Sequence, residues 1–288
     1  MEIEFERIAL YSSNDSKTIR LISDQLEEIL INLGVRILKP ASSALVGSNK
    51  KSNSDNFIFR NADLIVAIGG DGTLLSASRK FGAQGIPVLG VNLGKLGFLT
   101  DINPDELTSG FQKVLSGNYI RDNRFFIEAS LSKERDKFIA LNEAVIHSAA
   151  VAQLIEYEVY IDEVFVYRQR ADGIIVSSPT GSTAYSLSGN GPIIHPAVKA
   201  ISLLPMFPHS LNTRPLIIGE DSCIQIKICK KGKASLSLDS HKTIKLKQGD
   251  EINLCKSKEN ITLIHPTDHD FFSACRNKLG WSLGITNN

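Results

Sequence analysis

Leu64-Ile65-Val66-Ala67-Ile68 is an unbroken apolar run, and the chain then passes at once into Gly69-Gly70-Asp71-Gly72-Thr73. A continuous run of strand length marks a strand covered on both faces, as in the interior of a parallel sheet. The surrounding residues fit that setting. Residues 5–11 read as an opening strand. Ile19, Ile22, Leu26, Ile29 and Leu33 recur at spacings of three and four, an amphipathic helix that Gly34 stops. Val35 to Leu38 reads as a short strand, Ser42 to Asn56 as a polar loop or weak helix, Leu74 to Phe81 as a helix, and Ile86 to Val91 as another buried strand. Asn103-Pro104 suits the cap and first residue of a helix with Leu107, Phe111 and Val114 on one face. Strands alternating with helices predict a Rossmann-like α/β domain over residues 1–123.

Beyond residue 123 the period changes. Ile155, Tyr157, Val159 and Ile161 alternate with polar or half-polar neighbours, and Asp162-Glu163 suits a tight turn into Val164–Tyr167. Further strands are expected at Phe125–Ser130, Phe138–Ile146, Ile174–Ser177, Cys223–Cys229, Ser235–Leu238 and Glu251–Cys255. Many short strands predict a β-sandwich-like domain over residues 124–265. Residues 266–288 return to a helical pattern. A length of 288 residues suits two domains, and 42% hydrophobic against 22% charged residues excludes a disordered chain.

A net charge of +1 offers no support for nucleic acid as the main partner. Residues 173–198 lack Asp, Glu, Lys and Arg, but their glycines, prolines and hydroxyls exclude a transmembrane helix. The acidic N-terminus is not a secretory signal. Four scattered cysteines, with no Cys-x-x-Cys pair, read as free thiols in a reducing compartment. The expectation is a cytoplasmic protein with no membrane partner.

Ligands of open parallel sheets gather at the carboxyl ends of the strands, where Gly69–Thr73 falls. A helix N-terminus there offers unpaired N–H groups and partial positive charge to a phosphate. Glycines at 69, 70 and 72 let backbone and phosphate approach closely. Asp71 would repel a phosphate unless it binds a metal ion or accepts a proton from an attacking hydroxyl, and phosphoryl transfer needs both services. A tight turn in which Asp71 merely caps the next helix accounts for the same residues. The motif is neither a Walker A loop nor a Gly-x-Gly-x-x-Gly fingerprint.

Asn142-Glu143 lies inside a strand-like run. Asn both donates and accepts hydrogen bonds, and an ionised Glu accepts two hydroxyls at once, as a ribose diol requires. Arg170 to Ser188 passes from an apolar strand into a hydroxyl-rich, glycine-bearing turn, with Tyr185 suited to stacking on a flat base. Arg170 and Asp172 equally suit a surface ion pair.

These segments resemble the NAD kinase family, joined by Leu93-Gly94-Lys95-Leu96-Gly97-Phe98-Leu99-Thr100, Leu141-Asn142-Glu143, Gly191-Pro192-Ile193-Ile194-His195-Pro196 and Lys278-Leu279-Gly280-Trp281. Thr180-Gly181-Ser182-Thr183-Ala184-Tyr185-Ser186 is the most specific piece. The glycine-Asp turn alone is shared with lipid kinases, but no basic amphipathic helix is present to serve a membrane. The resemblance implies transfer of the terminal phosphate of ATP to the 2′-hydroxyl of the NAD adenosine ribose, with a divalent cation such as Mg²⁺. It implies an N-terminal α/β domain, a C-terminal β-rich domain, a last segment packing back on the first domain, and a homodimer or homotetramer. Asp71 takes the role of proton acceptor, with Gly69, Gly70, Gly72 and Thr73 at the phosphates and Asp71 and Gly72 also beside NAD. Asn142, Glu143, Arg170, Asp172, Thr183, Ala184, Tyr185, Ser186, Leu187 and Ser188 become NAD contacts. The position of Gln153 is also an NAD contact in bacterial members, where it is often a basic residue or His. Asp239-Ser240-His241 stands for a family Asp-Gly-Gln segment, which makes His241 a further contact. The metal ligands are not indicated.

Overall fold

The computed structural model describes residues 4–38, 60–94, 97–132, 136–149, 153–210, 212–230 and 233–281. The expected loop from Ser42 to Asn56 lies outside them, as do Lys95 and Leu96. The chain divides into two compact units, Met1–Asn123 with Asn260–Asn288, and Arg124–Glu259.

The first unit is the α/β one. Strands β1 (Arg7–Tyr11), β2 (Arg36–Leu38), β3 (Leu64–Ile68) and β4 (Val88–Val91) lie parallel in the order β2-β1-β3-β4. The last strand of the chain, β16 (Glu251–Pro266), adds Leu263 and Ile264 in parallel beside β4. All five residues of β3 are buried, as a strand covered on both faces requires. Helix α1 (Lys17–Asn32) begins where the Ser16 hydroxyl accepts the Ile19 N–H at 3.2 Å. Its Ile19, Leu26 and Leu30 share a core with Leu64, Val66, Leu89, Phe111, Val114 and Ile264. Helix α2 (Asp71–Lys80) follows β3 directly. A 3₁₀ turn, Pro104–Glu106, leads into α3 (Leu107–Leu115), which buries Leu107, Phe111 and Val114. The tail returns to this unit as α5 (Phe271–Leu279), capped by Asp270 at one end and by left-handed Gly280 at the other.

The second unit is all-β apart from short helical turns. Its strands are β5 (Tyr119–Leu131), which begins in the first unit, β6 (Lys137–Ala140), β7 (Glu143–Ser148), β8 (Ile155–Ile161), β9 (Val164–Ala171), β10 (Gly173–Ser177), β11 (Ala200–Met206), β12 (Leu216–Gly219), β13 (Ile224–Ile228), β14 (Ala234–Leu238) and β15 (Lys242–Leu246). An antiparallel sheet runs β12-β11-β10-β7-β14-β15. A second sheet runs β16-β13-β8-β9, also antiparallel. Ile174, Val176 and Ile146 of one sheet share a single core with Tyr157, Val159 and Ile252 of the other, which makes a sandwich. The hairpin at Asp162-Glu163 forms as expected, both residues having positive φ of 48° and 67°.

Three expectations change. The run Phe138–Ile146 is two strands, β6 and β7, broken at Leu141-Asn142. Strands β11, β12 and β15 have no sequence counterpart above, and Glu251–Cys255 continues to Pro266. Finally, Cys223 and Cys255 are not free thiols but a disulfide. The register sets Ile224 against Leu254, so these two cysteines come face to face across β13 and β16, with Cα atoms 4.6 Å apart. Cys229 and Cys275 stay free. Protein purified without reductant and then denatured should therefore titrate two thiols per chain, rising to four after reduction; four thiols before reduction would remove the bridge.

Candidate active site

In the first unit the glycine turn sits at the end of β3. Gly69 has φ +157°, and a Cβ there would lie 2.3 Å from the Thr73 hydroxyl, so only glycine fits. A Cβ at Gly70 or Gly72 would meet nothing within 4 Å, so the backbone of the turn faces open space at those two positions. Gly70, not Asp71, occupies the cap of α2, and the cap makes no side-chain hydrogen bond. The simple capping account of Asp71 therefore fails. Thr73 is buried, its hydroxyl 2.9 Å from that of Ser13.

The Asp71 carboxylate instead turns toward Gly97–Thr100. It accepts the Phe98 N–H at 3.0 Å, the Leu99 N–H at 3.2 Å and the Thr100 hydroxyl at 3.4 Å. A Cβ on Gly97 would stand 2.0 Å from Asp71 Oδ1, so this neighbour must also be glycine. Lys278 of α5 brings its ammonium to 3.9 Å from Asp71 Oδ2 and 5.0 Å from the centre of the Phe98 ring. The Asp71 side chain keeps 30% exposure, so its oxygens remain reachable.

The loop that cradles Asp71 is itself anchored. Asp101 accepts hydrogen bonds from Nδ1 of His265 and, at 2.6 Å, of His269. The far nitrogen of His265 lies 3.6 Å from Asp122, an ion-pair distance. Burial opposes a charge on His265, but the carboxylates of Asp101 and Asp122 outweigh it and raise its pKa to about 9. Burial likewise works against the Asp101 charge, and the two imidazoles hold its carboxyl below the usual range nonetheless. The three side chains bring potential metal-ligand atoms within 4.8 Å of one another. They suit an ion poorly, because the imidazoles stack at 4.1 Å and 22°, both Nδ1 atoms aim at one carboxylate, and a protonated His265 has no lone pair there.

In the second unit, Asn142 and Glu143 are buried at the start of β7. Ser177 of β10 pairs with Glu143 across the sheet. The chain then turns through a 3₁₀ segment, Thr180–Thr183, into the short helix α4 (Tyr185–Ser188). The buried Arg124 donates to the Thr180 hydroxyl at 3.0 Å. Gly181 passes so close to the bend that a Cβ would stand 2.2 Å from the Asn142 carbonyl. Glu143 is pushed up to about 8, by burial first and the Asp239 charge second, against a backbone hydrogen bond from Tyr185. Among the described residues, Asn142 Oδ1, Glu143 Oε2 and Ser186 Oγ are buried without a hydrogen-bond partner, an arrangement that costs free energy unless something fills it. Tyr185 and Ser188 are exposed, while Thr183, Ala184 and Leu187 are half-buried beside them.

Not every expected contact gathers here. Gly173 pairs with His147 while Ser177 pairs with Glu143, so Asp172 stands at the other end of β10, roughly 17 Å along the strand. Arg170, on β9, and exposed Gln153, just before β8, lie toward that same end. No ion pair joins Arg170 to Asp172 among the described residues. His241 is exposed at the close of the β14–β15 turn. Asp101, His265 and His269 stand in no motif noted above, while Gly97–Thr100, Lys278 and Asp239 lie in segments that carry the family resemblance but had no individual role. Their shared signal is contact over long sequence distance, which a single chain does not display.

The His265 pair makes a prediction about stability. Its folded pKa of about 9 lies above the free value of 6.5, so its stabilisation is complete below pH 6.5 and is lost as pH rises through 9. Urea unfolding should show wild-type stability falling by on the order of a few kcal/mol across that window, with the fall largely absent in His265→Gln. Equal declines in both proteins would contradict the buried charge.

The ATP-NAD kinase N-terminal domain family matches residues 11–119, and the ATP-NAD kinase C-terminal domain family matches residues 141–266. The NAD kinase of Teredinibacter turnerae is 40% identical over 271 residues, covering 92% of this chain and 90% of its own. That of Hahella chejuensis is 38% identical over 286 residues, covering 97% of each. Yeast NADH kinase complexed with NADH superposes with a TM-score of 0.85 at 27% identity, covering 99% of this chain and 89% of the other. An NAD kinase from Archaeoglobus fulgidus in complex with ATP gives 0.73 at 28% identity, covering 97% and 100%. With both domains matched and such identity along nearly its whole length, the chain belongs to the NAD kinase family.

Proposed function

We propose that the protein transfers the terminal phosphate of ATP to the 2′-hydroxyl of the NAD adenosine ribose, with Asp71 accepting the hydroxyl proton. One observation carries the reading. Asp71 does no capping for its own helix; its carboxylate is held by two amides and a hydroxyl while keeping an accessible face. That is the pre-organisation a general base needs.

The open backbone at Gly70 and Gly72, at the N-terminus of α2, suits the donor phosphates. Mg²⁺ would come with the ATP phosphates and need at most one or two carboxylates from the protein; an oxygen donor such as Asp71 would suit it, as the imidazoles would not. The unpartnered Asn142, Glu143 and Ser186 oxygens suit the ribose and base of NAD, with Tyr185 flanking the ring. Thr183, Ala184, Leu187 and Ser188 complete that wall, and His241, Gln153, Arg170 and Asp172 serve the remainder of a long dinucleotide. The 2′-hydroxyl must then reach Asp71 in line with the terminal phosphorus.

The family further supports a homodimer or homotetramer acting in the cytoplasm. Among the described residues no helix is long and apolar enough to cross a membrane.

Asp71→Asn should lower kcat by ~10²–10⁴-fold, roughly 3–5 kcal/mol of barrier, with NAD affinity within a few-fold of wild type. A coupled assay that scores NADP with an NADP-specific dehydrogenase measures it. Retention of more than about a tenth of the activity would remove the general-base role.

A further inference from the structure

The break between β6 and β7 is organised chiefly by one side chain. The Asp239 carboxylate accepts three successive backbone N–H groups, from Leu141 at 2.9 Å, Asn142 at 2.9 Å and Glu143 at 3.2 Å. The Asp239 N–H in turn donates to the Glu143 carbonyl at 3.1 Å. On the other side, Ser178 N–H donates to the Asn142 carbonyl at 2.9 Å and the Ser178 hydroxyl donates to that of Leu141. Asp239 does this from a tight turn with φ of 42° at Asp239 and 56° at Ser240, closed by His241 N–H on the Leu238 carbonyl at 2.9 Å. Left-handed geometry at two central residues favours glycine or asparagine. A glycine in that place would relax the turn and lose the carboxylate.

We propose that Asp239 is a positioning residue for the reaction: it fixes the bend that aims Asn142 and Glu143 at the nucleotide, and it sets a negative charge beside the Glu143 carboxyl. The proposal rests on the reading that these two residues hold NAD. With the bend's own amides and carbonyls satisfied by Asp239 and Ser178, the Asn142 and Glu143 side chains are released from backbone service, and their unpartnered oxygens face inward. The β14–β15 turn presents Asp239, with titratable His241 exposed at its end. Helix α4 presents the Tyr185 amide, and β10 presents uncharged Ser177. Burial and the Asp239 charge together put Glu143 at about 8. Ribose hydroxyls donate best to the ionised carboxylate, so NAD binding should tighten as pH rises through that value.

Equilibrium titration of NAD without ATP, from pH 6 to 9.5, on wild type, Asp239→Asn and Glu143→Gln tests this. In folded Asp239→Asn the midpoint should move to lower pH by at least ~0.5 unit, because a like charge is gone. Its high-pH plateau should weaken by about 5-fold or more, because the bend is looser. A purely structural role would change melting temperature and active fraction but not the midpoint. Either quantity remaining at its wild-type value overturns the proposal. Glu143→Gln should abolish the pH dependence; if it binds NAD with the wild-type profile, the underlying assignment of Glu143 to NAD has failed instead. Should Asp239→Asn not fold, Asp239→Ser keeps an oxygen acceptor without the charge and is judged by the same two quantities.

Discussion

The carboxylate of Asp71, at the first position of α2, takes hydrogen bonds from a loop and none from its own helix. Much else follows from that one choice. The Asp71 side chain does nothing for the start of its own helix, and Gly70 and Gly72 leave the backbone there uncovered. Gly97 has to be glycine, since any Cβ would strike Asp71. The loop must be rigid, because an amide that wanders cannot hold an anion in place. Its rigidity comes from Asp101, which is gripped by two imidazoles of the returning tail. The tail also contributes Leu263 and Ile264 to the parallel sheet and Lys278 to the neighbourhood of Asp71. The last segment of the chain therefore supports the loop that holds the Asp71 carboxylate.

The second unit uses the same device for another end. There the carboxylate of Asp239 collects three amides, but it is a support for the side chains of Asn142 and Glu143. In both places an acidic side chain accepting successive backbone N–H groups defines a bend that no hydrophobic contact could define so sharply. The difference lies in exposure. Asp71 keeps an accessible face, while Asn142 and Glu143 are buried with oxygens unpaired. Buried polar atoms without partners cost stability, and enzymes retain them where a substrate will complete the set.

What the sequence displays is local. An apolar run closed by glycines is readable as β3 and its turn, and a stripe at three and four is readable as α1, because cause and effect are adjacent. The break at Leu141-Asn142 is unreadable for the opposite reason: its cause, Asp239, is 97 residues away from Asn142. Strand β11 is hidden by Pro205, which ordinarily argues against a central strand. Pro205 pairs with Ile174 on one side, while β12 pairs only as far as Leu203, so on that side Pro205 lies beyond the paired part of the strand. The disulfide escapes notice because cysteines 32 residues apart signal nothing until the register of β13 and β16 brings them opposite. For the site, residue types single out Asp71 and Glu143 as candidates, while the contacts that hold them appear in the fold.

The central claim is that Asp71 receives the proton of the sugar hydroxyl. A crystal structure with NAD and a non-hydrolysable ATP analogue bound together tests it most directly. The account predicts an Asp71 carboxylate oxygen within hydrogen-bond reach of the adenosine 2′-hydroxyl, about 2.6–3.2 Å, or joined to it by one water. A 2′-hydroxyl directed away from Asp71, with another base in contact with it, would contradict the account.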